Sequence, residues 1–166
     1  MTTLLDKDAC ELLDADHLAV KHLFVEYARL AFSGGDAAAA DKLALARKIC
    51  SELTVHARIE EEIFYPALRQ VIDDPVLLDE AKAEHQEAKA LIAKIQPLAK
   101  ADAALDDLVA ELNRAIEHHV KEERDALFPK ARASALDLNA LGEQLRQRQE
   151  ELMGGASKPS ARPKKG

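Results

Sequence analysis

Four histidines interrupt what are otherwise apolar helix faces, and that pattern limits the fold more than any other feature of the chain. A helix turns by about 100° per residue, so positions three, four, seven and eleven apart share a face. Around His17 that face holds Leu13, Val20, Phe24 and Ala28, and around His56 it holds Ile49, Leu53, Ile63 and Ala67. Around His85 it holds Leu78, Ala81, Ala88 and Ile92, and around His119 it holds Leu108, Leu112, Ala115 and Ala126. Glu60 and Glu123 lie one turn after His56 and His119 on the same stripes, and Lys89 falls close to the His85 stripe. A fold that buries all four stripes must bring four helices together.

The rest of the chain agrees with an all-α reading. Alanine, leucine, glutamate and lysine dominate, runs of alternating β-branched residues are missing, and 166 residues suffice for one domain. The first helix is expected from about Asp6 to Phe32, before Ser33-Gly34-Gly35-Asp36. The second starts near Asp36 or Ala37 and runs to about Val71, its last two turns bent or loosened by Pro66. Asp74 and Pro75 make a good start for the third, which runs to about Lys100. The fourth runs from about Ala103 to near Phe128, ahead of Pro129, and a shorter fifth from about Leu136 to Leu152. Short connections between long helices imply an antiparallel up-down-up-down four-helix bundle. The histidines come out nearly level, except that His56 lies about seventeen residues before the Asp73-Asp74 corner and His85 only about eleven after it. Residues 1–152 are expected to form the domain, bundle plus fifth helix, and 153–166 a disordered basic tail.

A lone histidine on an apolar face is usually a hydrogen-bonded core residue. Four of them beside two buried carboxylates are another matter, because unpaired carboxylates in a core cost several kcal/mol. Cations remove that cost by taking neutral imidazole and ionised carboxylate as ligands, and bridging carboxylates let two ions sit side by side. The expected metal ligands are therefore His17, His56, Glu60, His85, His119 and Glu123. His22 and His118 fall off the stripes and are expected at the surface, and Tyr27 and Tyr65 lie about 80° and 180° from the histidine lines. Cys10 and Cys50 fall about 20 Å apart if the first two helices are antiparallel, so both are expected as free thiols.

These segments resemble the hemerythrin-like (HHE cation-binding) proteins. The matching stretches are Asp16-His17-Leu18, HARIEEEIFYPAL (56–68), AEHQEAKALI (83–92) and HHVKEERDALFPKA (118–131), so the likeness covers roughly residues 10–131. Oxygen-carrying members hold a non-haem di-iron centre with five histidines and two bridging carboxylates. The resemblance implies that His17 and His56 serve one iron, His85 and His119 the other, with Glu60 and Glu123 bridging. Lys89 stands where the oxygen carriers have a further histidine, and the last motif reads H-x-x-x-E. That pattern is similar to the divergent H/HxxxE/H/HxxxE branch, which includes redox-responsive and peroxide-consuming proteins. One imidazole fewer implies more open positions on an iron, and Lys89 would either reach toward the centre as a supporting group or keep its charge in water.

The functional expectation is a di-iron protein that binds or senses O2, NO or peroxide. The alternatives are a catalase-like peroxide-consuming enzyme and an iron-storage or metal-responsive interaction module, with manganese or zinc as alternative metals. Formal net charge is −7, and the last fourteen residues hold four positive charges and no acid, which leaves −11 on residues 1–152. Such an acidic body argues against a dedicated nucleic-acid surface. No apolar run approaches the about 20 residues of a membrane span, and MTTLLDKDAC has acids where a secretory signal would have basic and then apolar residues. A cytoplasmic protein is therefore expected, with monomer and homodimer both open.

Overall fold

The computed structural model describes residues 7–154. Residues 1–6 and the stretch from 155 on, which holds nearly all of the expected basic tail, lie outside the described residues. Helix α1 spans Ala9–Ser33 and starts at a capping box, Asp8 accepting from the Glu11 amide while Glu11 accepts from the Asp8 amide. It stops at Gly34, where a Cβ would lie 2.1 Å from that of Ala38, and Gly35 takes the left-handed φ of 56° that opens the short 3-10 turn Gly35–Ala38.

Helix α2 is one rod of three parts: Ala39–Ile59, a π turn Glu60–Phe64, and Tyr65–Val71. Helix α3 spans Pro75–Ile95, capped by Asp74 on the Leu77 amide. Helix α4 repeats the plan of α2, with Ala103–Glu122, a π turn Glu123–Leu127, and Phe128–Ala133. Helix α5 spans Leu138–Gly154. The first four elements form the expected bundle, with α3 ending earlier than its sequence implied.

Two expectations about the prolines need correction. Pro66 does not loosen the end of α2, and α4 does not stop before Pro129. In both rods a π turn sits directly before the proline, with Tyr65 N–H donating to the Glu60 carbonyl and Phe128 N–H to that of Glu123. Proline has no N–H to give, so the ladder slips by one residue ahead of it and then resumes.

The core comes as two apolar clusters along the bundle. One gathers Leu13, Ile59, Phe64, Leu68, Leu78 and Leu127, and the other gathers Val20, Phe24, Ile49, Leu91, Leu105 and Leu112. Burying each such side chain stabilises by about 1.5–3 kcal/mol, so both ends of the bundle are anchored by packing. The four histidines lie in the layer between, shielded from water at either end. Farther along, buried Lys42 pairs with Asp106 at 3.0 Å, and Tyr27 donates to Asp106 at 2.7 Å, tying α1, α2 and α4 together.

Helix α5 lies across α1 and α2 and puts Leu141 and Leu145 into the first cluster. Gly142 permits the approach, since a Cβ there would lie 2.7 Å from the Lys7 carbonyl oxygen and 2.9 Å from the Ala9 nitrogen. Cys10 and Cys50 are free, buried thiols. No helix of the described residues is long and apolar enough to cross a membrane.

Candidate metal centre

All six residues expected as ligands meet in the middle layer. His17, His56, His85 and His119 are buried, and Glu60 and Glu123 are fully buried at 0% exposure. His17 Nε2 lies 3.0 Å from Glu123 Oε1 and His56 Nε2 lies 3.4 Å from Glu60 Oε2. On the other side His85 Nε2 lies 3.0 Å from Glu60 Oε1, and His119 Nε2 lies 3.4 Å from Glu123 Oε2. Each carboxylate thus turns one oxygen toward the His17/His56 pair and its other oxygen toward the His85/His119 pair. Donors on adjacent corners of an octahedral ion at about 2.1 Å stand about 3 Å apart, so the spacings suit two carboxylate-bridged cations.

The outward nitrogens of the rings are also accounted for. His56 Nδ1 lies 3.0 Å from Asp16, His17 Nδ1 3.2 Å from Asp14, His85 Nδ1 2.7 Å from Glu61, and His119 Nδ1 2.7 Å from Glu84. A carboxylate only accepts, so each Nδ1 carries the hydrogen and the Nε2 lone pair faces inward. This is the arrangement that orients metal-binding histidines. Asp16 and Glu84 each precede a histidine in sequence yet serve the ring of a neighbouring helix, which the periodicity of a single helix does not show.

One residue set aside on angular grounds belongs in the centre. Tyr65 was expected about 180° from the His56 line, but the π turn between them takes up one residue and swings it inward. Its hydroxyl donates to Glu123 Oε2 at 2.7 Å. It also lies 3.1 Å from Glu60 Oε1 and 3.3 Å from Nε2 of both His85 and His119. The resemblance implied more open positions on an iron, and here a phenol oxygen stands among the inward atoms of the His85/His119 set. The sequence did carry a signal, since both rods read Glu, four residues, an aromatic, then proline. At the matching place in α4, Phe128 stacks on His17 with ring centres 6.0 Å apart.

The first set differs in its satisfaction. His17 Nε2, His56 Nε2, Glu60 Oε2 and Glu123 Oε1 are buried without hydrogen-bond partners. They stand close in pairs, but not in hydrogen-bonding orientation, so proximity here is not bonding. Buried polar atoms in a native core are nearly always paired, and four orphans converging on one point fit a cation. The donor set therefore suits a bound metal ion.

Electrostatics follow from the same geometry. Burial would lower the His56 pKa, but Glu60 and Asp16 outweigh it and hold the imidazole well above its usual range. Burial likewise opposes the charge on His119, yet Glu123, Glu60 and Glu84 raise it. Glu60 is held well below the carboxylate range, its burial overcome by His56 and by hydrogen bonds. Burial, then Glu123 and Glu60, push Tyr65 far up, so it keeps its proton.

A cavity of about 360 Å³ lies beside the centre, lined by the four histidines and by apolar Val20, Leu53, Ala88, Ile92, Ile116 and Val120. Lys89 stands at its rim, partly exposed, pairing with Glu61 at 2.9 Å while Glu61 holds His85. It therefore reaches the centre through Glu61, the acceptor that holds His85. His22 and His118 are exposed as expected, His118 lying 3.2 Å from Glu84.

Comparison with known proteins agrees with this geometry. The family model of the hemerythrin HHE cation-binding domain matches residues 8–131. The crystal structure of a hemerythrin HHE cation-binding domain-containing protein from Mycobacterium kansasii superposes with a TM-score of 0.74 at 25% identity, covering 91% of this chain and 90% of that one. A protein of Nostoc sp. named DNA nickase is 31% identical over 114 residues, which span 67% of this chain but only 30% of the nickase. The chain belongs to the hemerythrin HHE cation-binding domain family.

Proposed function

We propose that this is a non-haem di-iron protein that binds or senses a small oxidant, whether dioxygen, nitric oxide or peroxide. The observation that carries the reading is the division of Glu60 and Glu123, each offering one oxygen to each histidine pair. His17 and His56 would hold one ion and His85 and His119 the other. Iron supplies reversible redox chemistry when bound. The chain's own groups orient the imidazoles through Asp14, Asp16, Glu61 and Glu84, and the apolar cavity walls limit water. Tyr65 holds a proton 2.7 Å from Glu123, within the layer where a small ligand would sit.

That proton favours a second reading, a catalase-like peroxide-consuming enzyme, because peroxide turnover requires protons to move at a dry centre. The match spans only 30% of the nickase, so that protein's named activity is not carried over, and a body carrying −11 argues against a dedicated nucleic-acid surface. We place the protein in the cytoplasm.

Elemental analysis with an optical spectrum before and after peroxide tests the first reading. Two irons per chain with a charge-transfer band support it, whereas zinc or manganese without such a band overturns it. Peroxide consumption faster than that of free iron, and lost in His56→Ala, supports the enzyme. A rate no greater than free iron excludes it.

A further inference from the structure

Building on the two-cation reading, we infer that the halves of the centre fill in a fixed order, the His17/His56 half first and the His85/His119 half only once Tyr65 yields. The first set is ready as it stands. Its four inward atoms are buried, mutually close and without partners, so an ion entering there breaks no hydrogen bond. The second set is engaged. One hydroxyl, that of Tyr65, touches all four of its inward donors, at 2.7 to 3.3 Å. A second ion must either displace that oxygen or take it as a ligand, and both routes require Tyr65 to give up its bond to Glu123.

The hydroxyl is not free to swing aside. Tyr65 is 2% exposed and packs against Phe64 and the His85 ring, on a backbone set by the π turn. Phe128, at the corresponding place in α4, brings no hydroxyl, so nothing comparable guards the first set. The two carboxylates connect the halves. An ion on Glu60 Oε2 and Glu123 Oε1 withdraws charge from both groups and weakens them as acceptors for Tyr65. The first ion thereby eases release of the hydroxyl while repelling the second ion, and a stable one-ion form lies between.

The chain has no tryptophan and two tyrosines, so in a Tyr27→Phe background the phenol ultraviolet signal reports Tyr65 alone. Zn2+, redox-inert and colourless, is titrated into the metal-free full-length chain by calorimetry and by ultraviolet difference spectroscopy. We expect two steps separated at least tenfold in Kd, with the phenol signal changing only in the second. Tyr65→Phe should leave the first step in place and move the second by tenfold or more, tighter if the hydroxyl obstructs and weaker if its oxygen ligates. Phe128→Tyr, which adds a hydroxyl to the other half, should weaken the first step. Both ions entering in one step, a phenol change with the first ion, or a second step unmoved in Tyr65→Phe would overturn the order while leaving the two-cation reading intact. No binding of Zn2+ at all overturns both.

Discussion

The two halves of the centre are built alike and finished differently. Each takes a histidine from the first helix of a hairpin and an H-x-x-x-E from the second, followed by a π turn, an aromatic and a proline. Each ring is held by a carboxylate, but the groups behind those carboxylates diverge. Asp14 is gripped by Arg124 at 2.7 Å and Asp16 by Gln149 of α5 at 2.8 Å, whereas Glu61 pairs with Lys89 and Glu84 with the exposed His118. The aromatic is Phe128 on one side and Tyr65 on the other. A single oxygen atom decides which half stands open to a cation and which has its donors engaged. Near-symmetry of the helices sets where donors go, and local departures from it set how each half behaves.

The largest effect should come from removing what the halves share. Glu60→Ala would take a ligand from both proposed ions at once and is expected to abolish binding of both, read as a fall in metal content after dialysis. If one ion remained at full affinity, the carboxylate would not bridge. Next come the supporting carboxylates, where loss of such a partner costs about 10–100-fold in metal affinity. Asp16→Ala should weaken the His17/His56 half and Glu84→Ala the other, so calorimetry that showed each mutation weakening both steps equally would dissolve the distinction between them.

pH sharpens the comparison further. His56 and His119 have raised pKa values in the metal-free fold, so the stability they add is full below the unfolded value of 6.5 and fades as pH rises through the folded one. Glu60 is lowered, so its contribution is present above 4.5 and fades as pH falls through its folded value. A raised imidazole pKa means that a proton competes with a cation for the inward nitrogen as pH falls. Metal binding should therefore release protons and tighten as pH rises, and calorimetry in buffers of different ionisation enthalpy counts them. An affinity that did not change with pH would contradict the shifts.

Smaller effects mark the limits of the centre. Gly142→Ala drives a methyl into the backbone of α1 and should destabilise the fold by about 1–3 kcal/mol, a drop in Tm of several degrees, with metal content unchanged. Lys89→Ala breaks a partly exposed pair and should shift affinity of the second half by less than about threefold.

Helical period made the bundle and the six inward residues legible, because His17, His56, His85, His119, Glu60 and Glu123 all keep the 3.6-residue spacing. Tyr65 was not legible by that ruler. It lies beyond a π turn, and every angle counted across such a turn is wrong by about one residue. Pro66 reads in sequence as a bend or loosening and Pro129 as a stop, whereas a slipped ladder lets each rod continue past its proline. Asp16 and Glu84 escaped for a different reason: they point across to a neighbouring helix, and no single stripe reveals its partners.

Burial pushes the Cys10 thiol up to about 12, Arg132 offsetting it only in part, and pushes Cys50 up to about 11. Oxidants attack the thiolate, and near pH 7 less than about one part in a thousand of either sulfur is in that form. Were peroxide to reach the proposed centre, the chain would offer it little sulfur to convert into sulfenic acid. Among the described residues, damage by stray oxidant should fall first on exposed Met153, leaving both cysteines reduced.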